Sequence, residues 1–272
     1  MRIVVHHKAG REFDALAERL HTAVEQIAPL VEEVTGLALP DTVVTRTMTV
    51  LKWQQAHWRR GKRRLLSETR QVRPPVSDTQ AAKNHLLALH DDRRDGWLSI
   101  GAQVVDFRRS RPELAVLPEA LREAGRLDDE VTLCKIVAHE LTHLAQYTVD
   151  GGAAWGLMNT LYADLRGIAD RDYSFLFEGH AYWADRQITT RLLGAPVPIA
   201  EISSHATPRY RTYADTPGRA EALEFLNRAA DSVAQIIDTK GLGAFNAIWS
   251  NPELVPLKSE TTAPELWHKR LG

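Results

Sequence analysis

IVAHELTHLAQY, residues Ile136 to Tyr147, sets His139 and His143 four apart with Glu140 directly after the first. On an α-helix, residues four apart lie one turn above each other, so both imidazoles face one way and can offer nitrogens to a single ion at about 2.1 Å. Glu140 is rotated about 100° from His139 and cannot easily share the coordination. Its carboxylate instead reaches water beside the ion, where it can serve as a general base. The surrounding sequence favours helix from Asp129 to Asp150. Val131, Ile136, Val137, Leu141 and Leu144 supply apolar surface, and Asp128 or Asp129 can cap the start.

A catalytic zinc site needs a third protein ligand and keeps one position open. The favoured candidate lies in DYSFLFEGHAYWADRQ, where Glu178 follows His143 by 35 residues at the start of a second helix, Tyr173 to Leu193. Tyr182 and Asp185 share its face at spacings of four and seven and are candidates to orient the imidazoles. His180 competes for the ligand role, but it sits about 200° from Glu178 on a helix, so the two cannot both reach one ion. An outlying aspartate is the remaining option. The only cysteine, Cys134, lies about 140° round the helix from His139, and its position suggests packing. Without a second cysteine there is no intrachain disulfide and no thiolate cluster.

Elsewhere the pattern is mostly helical. Arg2 to His6 reads as a short strand, and Arg11 to Thr35 as an amphipathic helix bent at Pro29 and stopped by Gly36. Asp41 to Val50 alternates like a half-buried strand, with Thr45, Thr47 and Thr49 on one side and Val44, Met48 and Val50 on the other. A basic helical stretch follows, then a helix near Thr79 to His90 and a second strand from Trp97 to Phe107. Further helices are expected over Pro112 to Ala124, Ala153 to Ala169 and Gly218 to Lys240. The 272 residues are long enough for one domain with a substantial core, and the net charge of -1 gives no global field toward nucleic acid or an anionic membrane. WRRGKRR, Trp58 to Arg64, reads as a solvated helix face. No run approaches the roughly 18 apolar residues of a membrane span, which together with the plain amino terminus places the chain in the cytoplasm. Adjacent His6 and His7 face opposite sides of a strand and make no metal pair.

HELTHLAQY, then LFEGHAYWAD, then an ending that carries Phe245, Asn246, Trp249, Pro252, Glu253, Pro264 and Trp267 resemble the zincin-like metallopeptidases of type 2. That family shows HExxH, a downstream EGxA-type motif and an ending with FN, W, PE and a terminal PxxW. The resemblance runs from Val131 to the end. It implies His139, His143 and Glu178 as zinc ligands, Glu140 as catalytic base, and hydrolysis of a peptide or protein substrate.

His205, Arg209, Tyr210 and Tyr213 form a polar cluster after the Glu178 helix. Tyr210 and His205 are taken from it as candidate catalytic residues that donate to a developing oxyanion. The expected fold is α+β: a mainly helical zincin-like domain over 1–272, with a small mixed sheet against the active-site helix. Residues 1–130 form a sheet-and-helix part and 131–272 a helical zinc-binding part. The alternatives are a zinc-binding regulatory protein without turnover and a hydrolase of non-peptide amides. The strand from Trp97 to Phe107 is expected to line the cleft, because an extended substrate can add to a sheet edge.

Overall fold

In chain order, the computed structural model describes residues 1–108, 111–198 and 202–271. Strand β1 (Arg2–Lys8) leads into α1 (Asp14–Thr35), and β2 (Thr42–Met48) into the long hairpin of α2 (Val50–Val72) and α3 (Val76–Asp95). Strands β3 (Ala102–Arg108) and β4 (Arg111–Val116) follow, then α4 (Pro118–Glu123) and α5 (Glu130–Thr148). The chain continues through α6 (Ala153–Met158), α7 (Tyr173–Leu193), α8 (Pro208–Ala214), α9 (Pro217–Lys240), α10 (Leu242–Asn246) and α11 (Pro264–Arg270). The class is α+β, mostly helical with one small mixed sheet.

The sheet has the order β1-β2-β4-β3, parallel except for the antiparallel pair of β3 and β4. The segment Pro112 to Ala124, expected as helix, divides instead into β4 and the short α4. The reason is position. β4 lies between β2 and β3, so Leu114, Ala115 and Val116 are all fully buried, and a strand covered on both faces shows a continuous apolar run without alternation. In β2 the buried row is Val43, Thr45 and Thr47, the threonine side. Thr47 Oγ1 meets His7 Nδ1 at 2.6 Å, which satisfies a hydroxyl that burial would otherwise strand. The second expected strand begins later than Trp97, since Gly96–Ser99 is a 3-10 turn. The expected helix from Ala153 ends at Met158, with Gly167 in the left-handed conformation at φ 67 beyond it.

α5 is the central helix. Asp129 caps it, its side chain accepting the Thr132 N–H, and it packs against α1 on one side and α7 on the other. The main core draws Leu20, Ile27 and Val31 from α1, Val137, Leu141 and Leu144 from α5, Phe175 and Phe177 from α7, and Val233 from α9. A smaller cluster, with Trp53, Leu98, Val105 and Leu117, fills the space under the α2–α3 hairpin.

α7 is held from behind by α9 and the carboxy-terminal segment. Gly179 permits the closest approach: a Cβ there would lie 2.7 Å from the Ala229 carbonyl oxygen, which is backbone and cannot swing aside. We expect Gly179→Ala to lower stability by about 1–3 kcal/mol, the usual cost of overpacking a filled core. A thermal melt equal to wild type would show that α7 and α9 separate without cost.

Candidate metal centre

His139, His143 and Glu178 bring three donor atoms to one point at the floor of a cleft of about 1120 Å³. His139 Nε2 and His143 Nε2 are 3.1 Å apart, and the Glu178 carboxylate oxygens lie 3.4 Å from the first and 3.6 Å from the second. Four ligands at 2.0–2.1 Å from a tetrahedral ion are separated by about 3.3 Å, so these separations match three corners of such a shell. One turn of α5 supplies the two imidazoles, and the first half of α7 supplies the carboxylate.

The opposite ring nitrogens are spoken for. His139 Nδ1 lies 3.3 Å from Asp185 Oδ2, and Asp185 in turn accepts from Lys135 Nζ at 2.8 and 3.0 Å. His143 Nδ1 meets Gln146 Oε1 at 2.7 Å, and Gln146 donates to the Phe177 carbonyl at 3.0 Å. These partners fix each ring with Nε2 turned to the shared point. The Tyr182 ring packs on His139 with centroids 4.3 Å apart. Lys135 and Gln146 escaped the sequence reading, although both follow the same helical spacing: Lys135 lies four before His139, and Gln146 three after His143.

His180 points elsewhere. It is fully buried, its ring stacks against Trp183 and Phe245, and its Nδ1 lies 3.0 Å from Gln146 Nε2. Burial lowers its pKa to about 3, so it stays a neutral packing group. The carboxy-terminal residues complete this support. Trp249 contacts both His180 and Phe177, Asn246 Nδ2 donates to the Thr35 carbonyl, and buried Trp267 donates to the Leu254 carbonyl.

Glu140 is buried, and its Oε2 has no hydrogen-bond partner among the described residues. Burial raises its pKa, against the lowering fields of His139 and His143, and the Val104 N–H of β3 ties the carboxylate to the strand edge. For His139, burial acts downward, but bonds to Asp185 and Glu178 and the fields of Glu178 and Glu140 hold the pKa at about 10. Burial acts upward on Glu178, yet the two imidazoles hold its carboxyl far below the usual range. Three carboxylates around two imidazoles thus favour a positive charge at the shared point. In the protein alone that charge is a proton on His139, and a divalent cation fits the donor set in its place.

That proton has a measurable consequence. A cation must displace it, so affinity should rise about tenfold per pH unit from neutrality toward the His139 pKa, with one proton released. Zinc titrations against a chelator between about pH 6 and about pH 9, corrected for the chelator's own protonation, test this. An affinity independent of pH over that range would mean that His139 holds no such proton in the metal-free protein. Loss of an outer partner should be milder: Gln146→Leu or Asp185→Asn is expected to weaken metal binding by about 10- to 100-fold. Unchanged affinity in both variants would remove these side chains from the site.

Of the two candidate oxyanion donors, Tyr210 lines the cleft, with the Arg219 guanidinium 5.8 Å over its ring. His205 does not. It is exposed, outside the cleft lining, with its backbone packed on Gly125, so the structure removes it from the candidate site. Arg219, which the sequence reading passed over, stands in the cleft wall with Nη2 at 3.4 Å from the Tyr210 hydroxyl. Strand β3 lines the cleft as expected and is the edge of the sheet.

No family model matches the chain, and no curated protein does. A crystal structure from Chloroflexus aurantiacus, described as that of a candidate hydrolase with a novel fold, is similar over 96% of this chain and 92% of its own. The TM-score is 0.60 at 16% identity, a likeness of fold. Among the described residues, no helix is long and apolar enough to cross a membrane.

Proposed function

We propose that the protein is a zinc-dependent hydrolase of the zincin kind that cleaves peptide bonds. The observation that carries this reading is Glu140, a buried carboxylate with a free oxygen beside a three-donor cluster it does not join. A purely structural metal site has no use for such a group. The description of the structurally similar protein as a candidate hydrolase agrees with this reading.

His139, His143 and Glu178 would hold the ion, which when bound supplies Lewis-acid polarisation and a more acidic water. The chain's own groups do the rest. Glu140 accepts the proton of the attacking water and returns it to the leaving nitrogen. Its burial keeps the carboxyl more basic than an exposed glutamate, which suits a group that must take and give a proton. Val104 N–H holds it in register with the strand edge.

An extended substrate can add to β3, which pairs with β4 on one side only. Tyr210 and Arg219 are the wall donors available to negative charge developing on the carbonyl oxygen. The test is a cleavage profile of the zinc-loaded protein on a mixed peptide library beside a panel of small amides. Cleavage of peptides that stops on chelation is expected. Turnover of amides alone would refute the peptidase reading.

A further inference from the structure

We propose that the end of the cleft under α2 and α3 is a carboxylate-binding subsite, built by Arg60, Arg93 and His57, which selects peptides bearing an acidic group close to the cleaved bond. The proposal rests on the peptidase reading above and names its substrate class.

All three residues line the same cleft as the metal cluster. Arg60 is 8% exposed and already committed: Nε donates to Asp106 Oδ1, and Nη2 to Asn159 Oδ1 at 3.1 Å. Arg64 nearby is likewise committed to Glu68 at 3.3 Å. Arg93 differs. Its guanidinium donates to the Leu89 carbonyl at 3.2 Å and forms no ion pair among the described residues. Burial and the charge of Arg60 work against its protonated form, and the field of Asp92 offsets them only in part, leaving its pKa lowered. An anion placed here relieves that repulsion.

His57 adds a neutral donor. It is 6% exposed, wedged edge-on between Trp53 and Phe107 at centroid distances of 4.6 and 5.0 Å. Burial, with Arg93 and Arg60, lowers its pKa to about 3, so the ring carries one proton. Gln103 bonds the ring, and its Oε1 already accepts the Trp53 indole N–H at 3.1 Å. The neutral ring carries its one proton on either nitrogen, and a carboxylate placed beside Nε2 selects the form with the proton there. That nitrogen is buried without a partner among the described residues. A carboxylate has two oxygens to accept from the Arg93 fork and from His57 Nε2.

The position points to a group on the peptide itself. Val104 of β3 touches Glu140, and Asp106, the partner of Arg60, lies two residues further on, about 7 Å along the strand. A peptide added to this edge carries its side chain, or its terminal carboxylate, past Arg93 within one or two residues of the reacting carbonyl.

The experiment compares wild type with Arg93→Gln and Arg93→Lys on matched peptides. Glu replaces Gln at each position around the cleaved bond, and every peptide is made with a free and an amidated terminus. Wild type should prefer the acidic peptide at one position by at least about tenfold in kcat/KM, the lower range for a charge-assisted hydrogen bond. Arg93→Gln should erase the preference, bringing each acidic peptide to the rate of its neutral match, and Arg93→Lys should restore part of it. The free and amidated series separate a terminal carboxylate from a side chain. No acidic preference, or one that survives in Arg93→Gln, overturns the subsite.

If no peptide is cut, the hydrolase reading fails separately, and calorimetric binding of the same Glu and Gln peptides to wild type and Arg93→Gln decides the subsite. Tighter binding of the Glu peptide that vanishes in the variant supports it, and equal binding overturns it. Inorganic phosphate binding more tightly than any Glu peptide would also overturn it, in favour of a free anion.

Discussion

Glu140→Gln is expected to keep its zinc and its fold and to lose turnover by roughly 10²- to 10⁴-fold, the loss typical of a missing proton-transfer group. Glutamine has the same shape and can still accept the Val104 N–H, so the strand edge stays in place. It cannot take the proton from water. Because the carboxylate is buried with one oxygen unpartnered, an uncharged replacement should leave stability unchanged or raise it. The check is metal content, thermal melt and cleavage rate of the variant beside wild type. Equal rates would sink the mechanism.

His143→Ala is expected to weaken zinc binding by more than the roughly 10- to 100-fold that follows loss of an outer partner. It removes one of three donors and frees Gln146 from its 2.7 Å bond. Glu178→Ala should act in the same direction, because its carboxylate is the only acidic corner of the cluster. His180→Ala should separate the roles of these two residues of α7: metal retained, but stability lowered by about 2 kcal/mol or more as an aromatic-lined cavity opens between Trp183, Phe245 and Trp249. Metal lost from His180→Ala and kept by Glu178→Ala would reverse the ligand assignment.

The donor cluster was legible because helical spacing is local. His139 and His143 lie on one turn, and Glu178, Tyr182 and Asp185 on one face, whatever the rest of the chain does. What the spacing could not show is how α5 and α7 meet. Lys135 and Gln146 matter only because Asp185 and the Phe177 carbonyl come within reach from the other helix. His205 failed for the same reason. Nearness in sequence to Tyr210 says nothing of a loop whose backbone turns onto Gly125.

β4 was misread because a strand buried on both faces loses its alternation, and RPELAV followed by PEALRE then reads as one helical pattern. The basic stretch of α2 reads on charge alone as a solvated face. Arg60 and His57 instead face inward under α3, and only the sheet edge of β3 packed beneath them shows what they confront.

The most direct test of the central claim is anomalous scattering at the zinc edge from crystals grown with equimolar zinc. A single strong peak is expected within about 2.1 Å of His139 Nε2, His143 Nε2 and a Glu178 oxygen. Ordered donors with no peak between them, or a peak elsewhere in the molecule, would contradict it.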